Sequence, residues 1–176
     1  MRGKPSEGRK GQVIMFFICL FVITGSLCGC IIYGILKPDI LKNFAAETIY
    51  GEKTLYFFVS SSVFPYAILL SSVFNFGIAI CVIMLFIQSF AAGCVVFQSF
   101  TEGKFFPCCL YQSVLLTGCI IAAAFSINRI INHFYGGETR KPYLKREKIK
   151  NAAENIIIFS AVTVIIILSC FLRKKF

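Results

Sequence analysis

Between Lys53 and Glu102 the chain runs 48 residues without a charged side chain. The hydrocarbon core of a bilayer is about 30 Å thick and a helix rises about 1.5 Å per residue, so one crossing takes roughly 20 apolar residues. As a single helix, the run would be about 72 Å long, more than twice that thickness. It must fold back on itself within lipid. Three shorter charge-free runs accompany it, at residues 11–36, 105–128 and 155–172. The fold class these runs predict is all-α, a polytopic integral membrane helical bundle with about five transmembrane helices. Composition agrees: 57% of the 176 residues are hydrophobic and only 15% are charged, against roughly 25% charged in a soluble domain. So much apolar surface needs lipid to cover it.

Residues 1–12 form a basic tail, and the first span, 13–36, follows it directly. That span continues several residues past Cys30, longer than the hydrophobic region of a cleaved signal peptide, so it reads as an uncleaved signal-anchor. The loop 37–53 places Ile40, Leu41, Phe44 and Ile49 at helical spacing, with Asp39, Lys42, Asn43 and Glu47 between them. Pro38 suits the start of such an amphipathic helix and Gly51 its end. It either lies on the membrane and bundle surface or serves as a docking element for a partner outside the cell.

The long run divides near Asn75 into spans 55–73 and 76–99, because Asn and Gly tolerate a tight reversal best. Pro65 predicts a kink or a break in the first of these, and a re-entrant segment is the alternative to a full crossing. A short loop with Glu102, Gly103 and Lys104 leads to the fourth span, 108–131. The basic loop 132–154 carries Arg140, Lys141, Lys145, Arg146, Lys148 and Lys150, which suit anionic lipid headgroups; its second half has helical character. The fifth span is 155–172, ending in the basic tail 173–176. Five crossings with the N-terminus in the cytoplasm leave 11 of the 18 lysines and arginines inside, in line with the positive-inside bias. The formal charge of +10 therefore marks the cytoplasmic face rather than nucleic acid.

The candidate chemistry is sparse. No Asp, Glu, Lys or His stands in the middle of a span, where ion-coupled transporters and pumps keep ionisable groups. His133 is the one histidine, and the nine cysteines lie within or beside apolar runs, where a thiol behaves as a small apolar side chain. No metal site and no cofactor are expected, and no phosphate-binding glycine loop is present. Small residues do recur at helix-packing spacing: Gly25-x-x-x-Gly29, a neighbouring stripe Ser26-x-x-x-Cys30-x-x-x-Gly34, Ser89-x-x-x-Gly93, and Gly118-x-x-x-Ala122-x-x-x-Ser126. They allow close backbone approach, within the bundle or against a partner or second copy. Gln88, in mid-span, requires a hydrogen-bond partner across helices, since an unpaired amide in lipid is costly.

Thr24-Gly25-Ser26-Leu27-Cys28-Gly29 is similar to the small-residue pattern that ends the first span of the stage II sporulation protein M family. Phe76-Gly77-Ile78-Ala79-Ile80-Cys81, leading to Phe90-Ala91-Ala92-Gly93 and the loop Glu102-Gly103-Lys104, resembles that family's central segment. The resemblance covers chiefly residues 20–36 and 74–106. It implies a membrane scaffold without catalysis of its own, of the kind that recruits cell-wall hydrolases to the septal membrane during engulfment in sporulation. Relatives of that family stand beside genes for ABC-type exporters. The expected role is thus a bacterial inner-membrane anchor for envelope or cell-wall remodelling enzymes. The alternative is the membrane subunit of a transporter energised by a separate ATPase, which the loop 129–150 would touch.

Overall fold

A computed structural model describes residues 7–36, 54–74, 76–131 and 145–175, with side chains over 12–36, 58–74, 76–131 and 153–173. Among the described residues five helices follow one another: α1 (Glu7–Leu36), α2 (Thr54–Ser71), α3 (Gly77–Thr101), α4 (Phe105–Ile130) and α5 (Lys145–Lys175). Among the described residues there is no strand. The chain is an all-helical bundle in which α1, α3, α4 and α5 are long and apolar enough to cross a membrane, with apolar spans at Gln12–Leu36, Gly77–Thr101, Phe105–Ile130 and Ala153–Arg173. The 18 residues of α2 reach about 27 Å.

Contacts between helices set their directions. Gly25 of α1 faces Ser89 of α3, Gly29 faces Phe90, and Gly34 faces Phe97, so both helices advance the same way. Ser169 of α5 meets Tyr111 of α4 and Asn155 meets Arg129, so that pair is antiparallel. Ser126 of α4 reaches the end of α2 at Ile68. Two parallel helices demand that the chain return from the end of α1 to the start of α3. The segment holding α2 therefore returns from one end of the bundle to the other. The five helices alternate in direction, so the start of α1 and the end of α5 lie at opposite faces. The "N-terminal face" below holds the start of α1, the α2–α3 turn, the end of α4 and the start of α5.

Several boundaries differ from the sequence-based expectations. The tail 1–12 is helical from Glu7, and the helical second half expected of the basic loop 132–154 is continuous with the last span, as α5 begins at Lys145. The span expected at 155–172 is the apolar part of a 31-residue helix about 46 Å long. Residues 173–175 of the expected tail continue it. Helix formers such as Lys, Arg, Glu and Ala fill 145–154, so nothing local stops the helix at the lipid boundary. The loop around Glu102 is only three residues, and α4 begins at Phe105 rather than 108. Pro107 sits in the first turn of α4, where its missing N–H has no intrahelical partner to lose. Pro65 neither breaks nor ends α2, which continues to Ser71.

The two short connections are built from identifiable contacts. At the end of α2, N–H groups of Ser72, Val73 and Phe74 bond carbonyls three residues back, tightening the last turn. The Ser71 hydroxyl donates to Ile68 O at 2.6 Å and that of Ser72 to Leu69 O at 2.7 Å. Gly77 opens α3 against this turn, and a Cβ there would strike the Ser71 carbonyl. At the end of α3, Lys104 N–H donates to Ser99 O at 2.9 Å and Gly103 N–H to Phe100 O at 3.4 Å, the paired bonds of a Schellman turn. Gly103 has φ +74°, a conformation that costs an L-residue about 1–2 kcal/mol.

The alternation has a direct test. Topology reporters inserted at residue 103 and fused after residue 176 should read the same face. A reporter inserted at residue 140 should read the opposite one. Agreement of all three would refute the alternation of α4 and α5, and a reporter at residue 45 that reads the face opposite to residue 103 would refute the parallel α1–α3 arrangement.

Candidate functional site

The seam between α1 and α3 is the tightest in the molecule and carries most of the small residues singled out from sequence. A Cβ built on Gly25 would run into Ser89 Oγ, one on Gly29 into the Phe90 carbonyl, and one on Gly93 into the Ser26 carbonyl. The two helix backbones thus touch at Gly29 and Gly93, points where only glycine fits. Cys30 Sγ donates to Gly93 O at 3.3 Å, and Cys94 Sγ donates reciprocally to Gly29 O at 3.5 Å. These thiols act as small polar packing groups. Both stripes on α1, Gly25/Gly29 and Ser26/Cys30/Gly34, face α3, so here the pattern serves the interior of the bundle. Gly118 instead faces α5, its Cβ position 3.1 Å from Ile165 Cγ2. Ala122 is fully buried, and Ser126, one turn on, donates to Ile68 O of α2 at 2.8 Å.

The seam ends in a polar chain. Tyr33 Oη donates to Gln98 Oε1 at 2.9 Å, and Gln98 Nε2 donates to Glu102 Oε1 at 2.7 Å. Tyr33 and Gln98 are buried, at 6% and 5% exposure, so each needs the other; Glu102 is exposed at the bundle end. The Gln98 amide also offsets a carboxylate placed at a helix C-terminus, where the backbone dipole disfavours negative charge. Phe97 packs beside Tyr33, ring centroids 6.0 Å apart, and lies over Gly34. Sequence periodicity missed Tyr33, although it continues the Gly25/Gly29 stripe by one further helical turn.

Other polar groups knit the remaining seams. Thr163 donates to Phe159 O at 2.7 Å, so its oxygen, 2.8 Å from Tyr66 Oη, accepts the Tyr66 proton. The Tyr66 ring stacks on Phe159 at 4.7 Å. Ser169 donates to Tyr111 O at 3.1 Å. Arg129 Nη1 donates to Asn155 Oδ1 at 2.6 Å at the N-terminal face. Hydroxyls turned outward close on their own helices, as Thr24 does on Leu20 O and Thr117 on Ser113 O, each at 2.8 Å. Gln88 is buried within α3, and the Gln112 side-chain oxygen is buried without a partner.

Among the described residues no three His, Cys, Asp or Glu side chains group as metal ligands do. Ile40, Leu41, Phe44 and Ile49 lie outside the described residues, as do Arg140 and Lys141. Lys145, Arg146, Lys148 and Lys150 belong to α5 by backbone alone. The structure therefore joins Gly25, Gly29, Gly34, Ser89 and Gly93 in one seam and sets Gly118 against α5 instead. No family model, curated protein or solved structure matches the chain.

The seam makes a graded prediction for alanine substitution. G29A and G93A force a methyl onto backbone and should each destabilise by about 1–3 kcal/mol. G34A meets only the edge of the Phe97 ring, at 3.1 Å, which can tilt away, so it should cost far less. Unfolding titrations in mixed micelles would rank the three. By the same measurement, Tyr33→Phe should cost about 1–3 kcal/mol, chiefly by leaving buried Gln98 Oε1 unpaired.

Proposed function

We propose that this protein is a non-catalytic scaffold of the bacterial inner membrane, N-terminus in the cytoplasm, that anchors envelope or cell-wall remodelling enzymes. The observation that carries this reading is the α1–α3 seam, where Gly25, Gly29 and Gly93 bring backbones into contact. Such a seam spends its polar and small side chains on rigidity. It fixes the end of α1, from which residues 37–53 depart, so that a docking stretch with Ile40, Leu41, Phe44 and Ile49 would be held at a set position. Apolar side chains such as Phe16, Leu27 and Ile35 on α1, and Ile156, Val164 and Phe171 on α5, point outward. Those faces suit lipid, neighbouring membrane proteins or a second copy. The resemblance to the stage II sporulation protein M family favours cell-wall hydrolases as partners and a role in engulfment.

One observation favours the second reading, a membrane subunit served by a separate ATPase. Because α5 starts at Lys145 while its apolar span starts at Ala153, basic sequence is carried on a rigid extension of a span by about 12 Å. A cytosolic partner would find a stiff lever there.

Co-purification from cross-linked membranes separates the two. The scaffold reading expects an envelope hydrolase that is lost when Ile40, Leu41, Phe44 and Ile49 are changed to serine. It expects retention of that hydrolase when Arg140, Lys141, Lys145, Arg146, Lys148 and Lys150 are changed to glutamine. A cytosolic ATPase with the opposite pattern would replace the scaffold by the transporter subunit.

A further inference from the structure

Toward the N-terminal face the α1–α3 seam opens. Above Gly25 the helices touch; below it α1 presents Ile14, Phe17, Ile18 and Phe21, side chains that hold backbones apart. The space left between α1, α3 and α4 is an apolar groove of about 260 Å³. Its floor is the buried set Ile18, Cys81, Leu85 and Ile127, while Phe17 and Phe21, at 53% and 36% exposure, stand at its lip. The groove is therefore open sideways to whatever surrounds the bundle.

Water has nothing to bond there. An apolar cavity of about 150 Å³ stays dry and takes a benzene-sized hydrocarbon, and this one is larger. Left empty, its walls would forfeit their dispersion contacts. Depth identifies the source of the filler. Ile14 to Phe21 lie roughly 3–14 Å along α1 from Gln12, where the apolar span begins. One leaflet of hydrocarbon is about 15 Å deep, so the groove occupies the leaflet at the N-terminal face. Arg9 and Lys10 stand one turn before Ile14 on α1, and Arg129 with the start of α5 at Lys145, Arg146, Lys148 and Lys150 brings five more lysines and arginines to the same face. Such charge attracts anionic headgroups.

We propose that this groove binds one acyl chain of an anionic phospholipid from that leaflet, its headgroup held by the basic N-terminal face. The proposal goes beyond the scaffold reading and does not rest on it. The full chain, purified in mild detergent and titrated with phosphatidylglycerol or phosphatidylcholine, is the test, read by native mass spectrometry. One phosphatidylglycerol should be retained, with roughly ten-fold or greater preference over phosphatidylcholine. Val82→Phe, which fills the groove, should abolish retention, whereas Val164→Phe, on the outward face of α5, should leave it unchanged. In the unaltered chain, phosphatidylglycerol carrying a diazirine in its acyl chain should label residues 14–21 and 78–85. Labelling spread evenly over the outward faces of α1 and α5, equal retention of both lipids, or a lipid-free dimer closing the groove would each overturn the proposal.

Discussion

Two parallel helices in backbone contact govern this bundle. In water, burial of apolar surface would bring helices together, but lipid tails are as apolar as Leu or Ile, so association depends on how closely helices can approach. On α1 and α3 the approach is closest where Gly29 meets the Phe90 carbonyl and Gly93 meets the Ser26 carbonyl. Because the two helices point the same way, the chain has to come back between them. That requirement sends α2 from face to face, and α4 and α5 follow in alternation. The placement of both chain ends, and of the basic segments near them, descends from that one contact.

Backbone and hydroxyl groups obey the second constraint, that lipid supplies no hydrogen bonds. Serines and threonines on outward faces bond their own helix. On inward faces Ser71, Ser89 and Ser99 also bond their own helix, whereas Ser126 reaches the end of α2, Ser169 reaches α4, and Tyr66 reaches across to Thr163. Ser126 has a particular position, because the Ile68 carbonyl it bonds also accepts the Ser71 hydroxyl in the last turn of α2. That shared acceptor couples the α2–α3 turn to α4.

The two ends of the α1–α3 seam differ in kind. At one, Tyr33, Gln98 and Glu102 tie α1 to α3 and to the tight turn at Gly103. At the other, bulky side chains part the helices and leave a hydrocarbon-lined groove. A seam clamped at one end and open at the other presents a fixed end near residues 37–53 and a lipid-accessible end in the opposite leaflet. Anchoring and lipid contact can therefore reside on one pair of helices without competing for residues.

Charge spacing revealed lipid as the solvent, because a charged side chain in hydrocarbon is costly and its absence over 48 residues is unambiguous, and Asn75 and Gly77 marked the turn that divides that run. The glycine stripes were equally visible. Their partner was not: a small residue permits close approach by any helix, and in a helix apolar on every side no periodicity marks the inward face. Gly118 reads like Gly29, yet it faces Ile165 while Gly29 meets backbone. Helix ends were blurred near the lipid boundary, as at Phe105, where the helix begins three residues before the expected span. What the sequence by itself determined was the medium and the count of helices, which follow from local hydropathy. Only tertiary structure decided which helices are neighbours, that α1 and α3 run parallel, and where their seam opens, because those depend on which carbonyl lies opposite a missing Cβ.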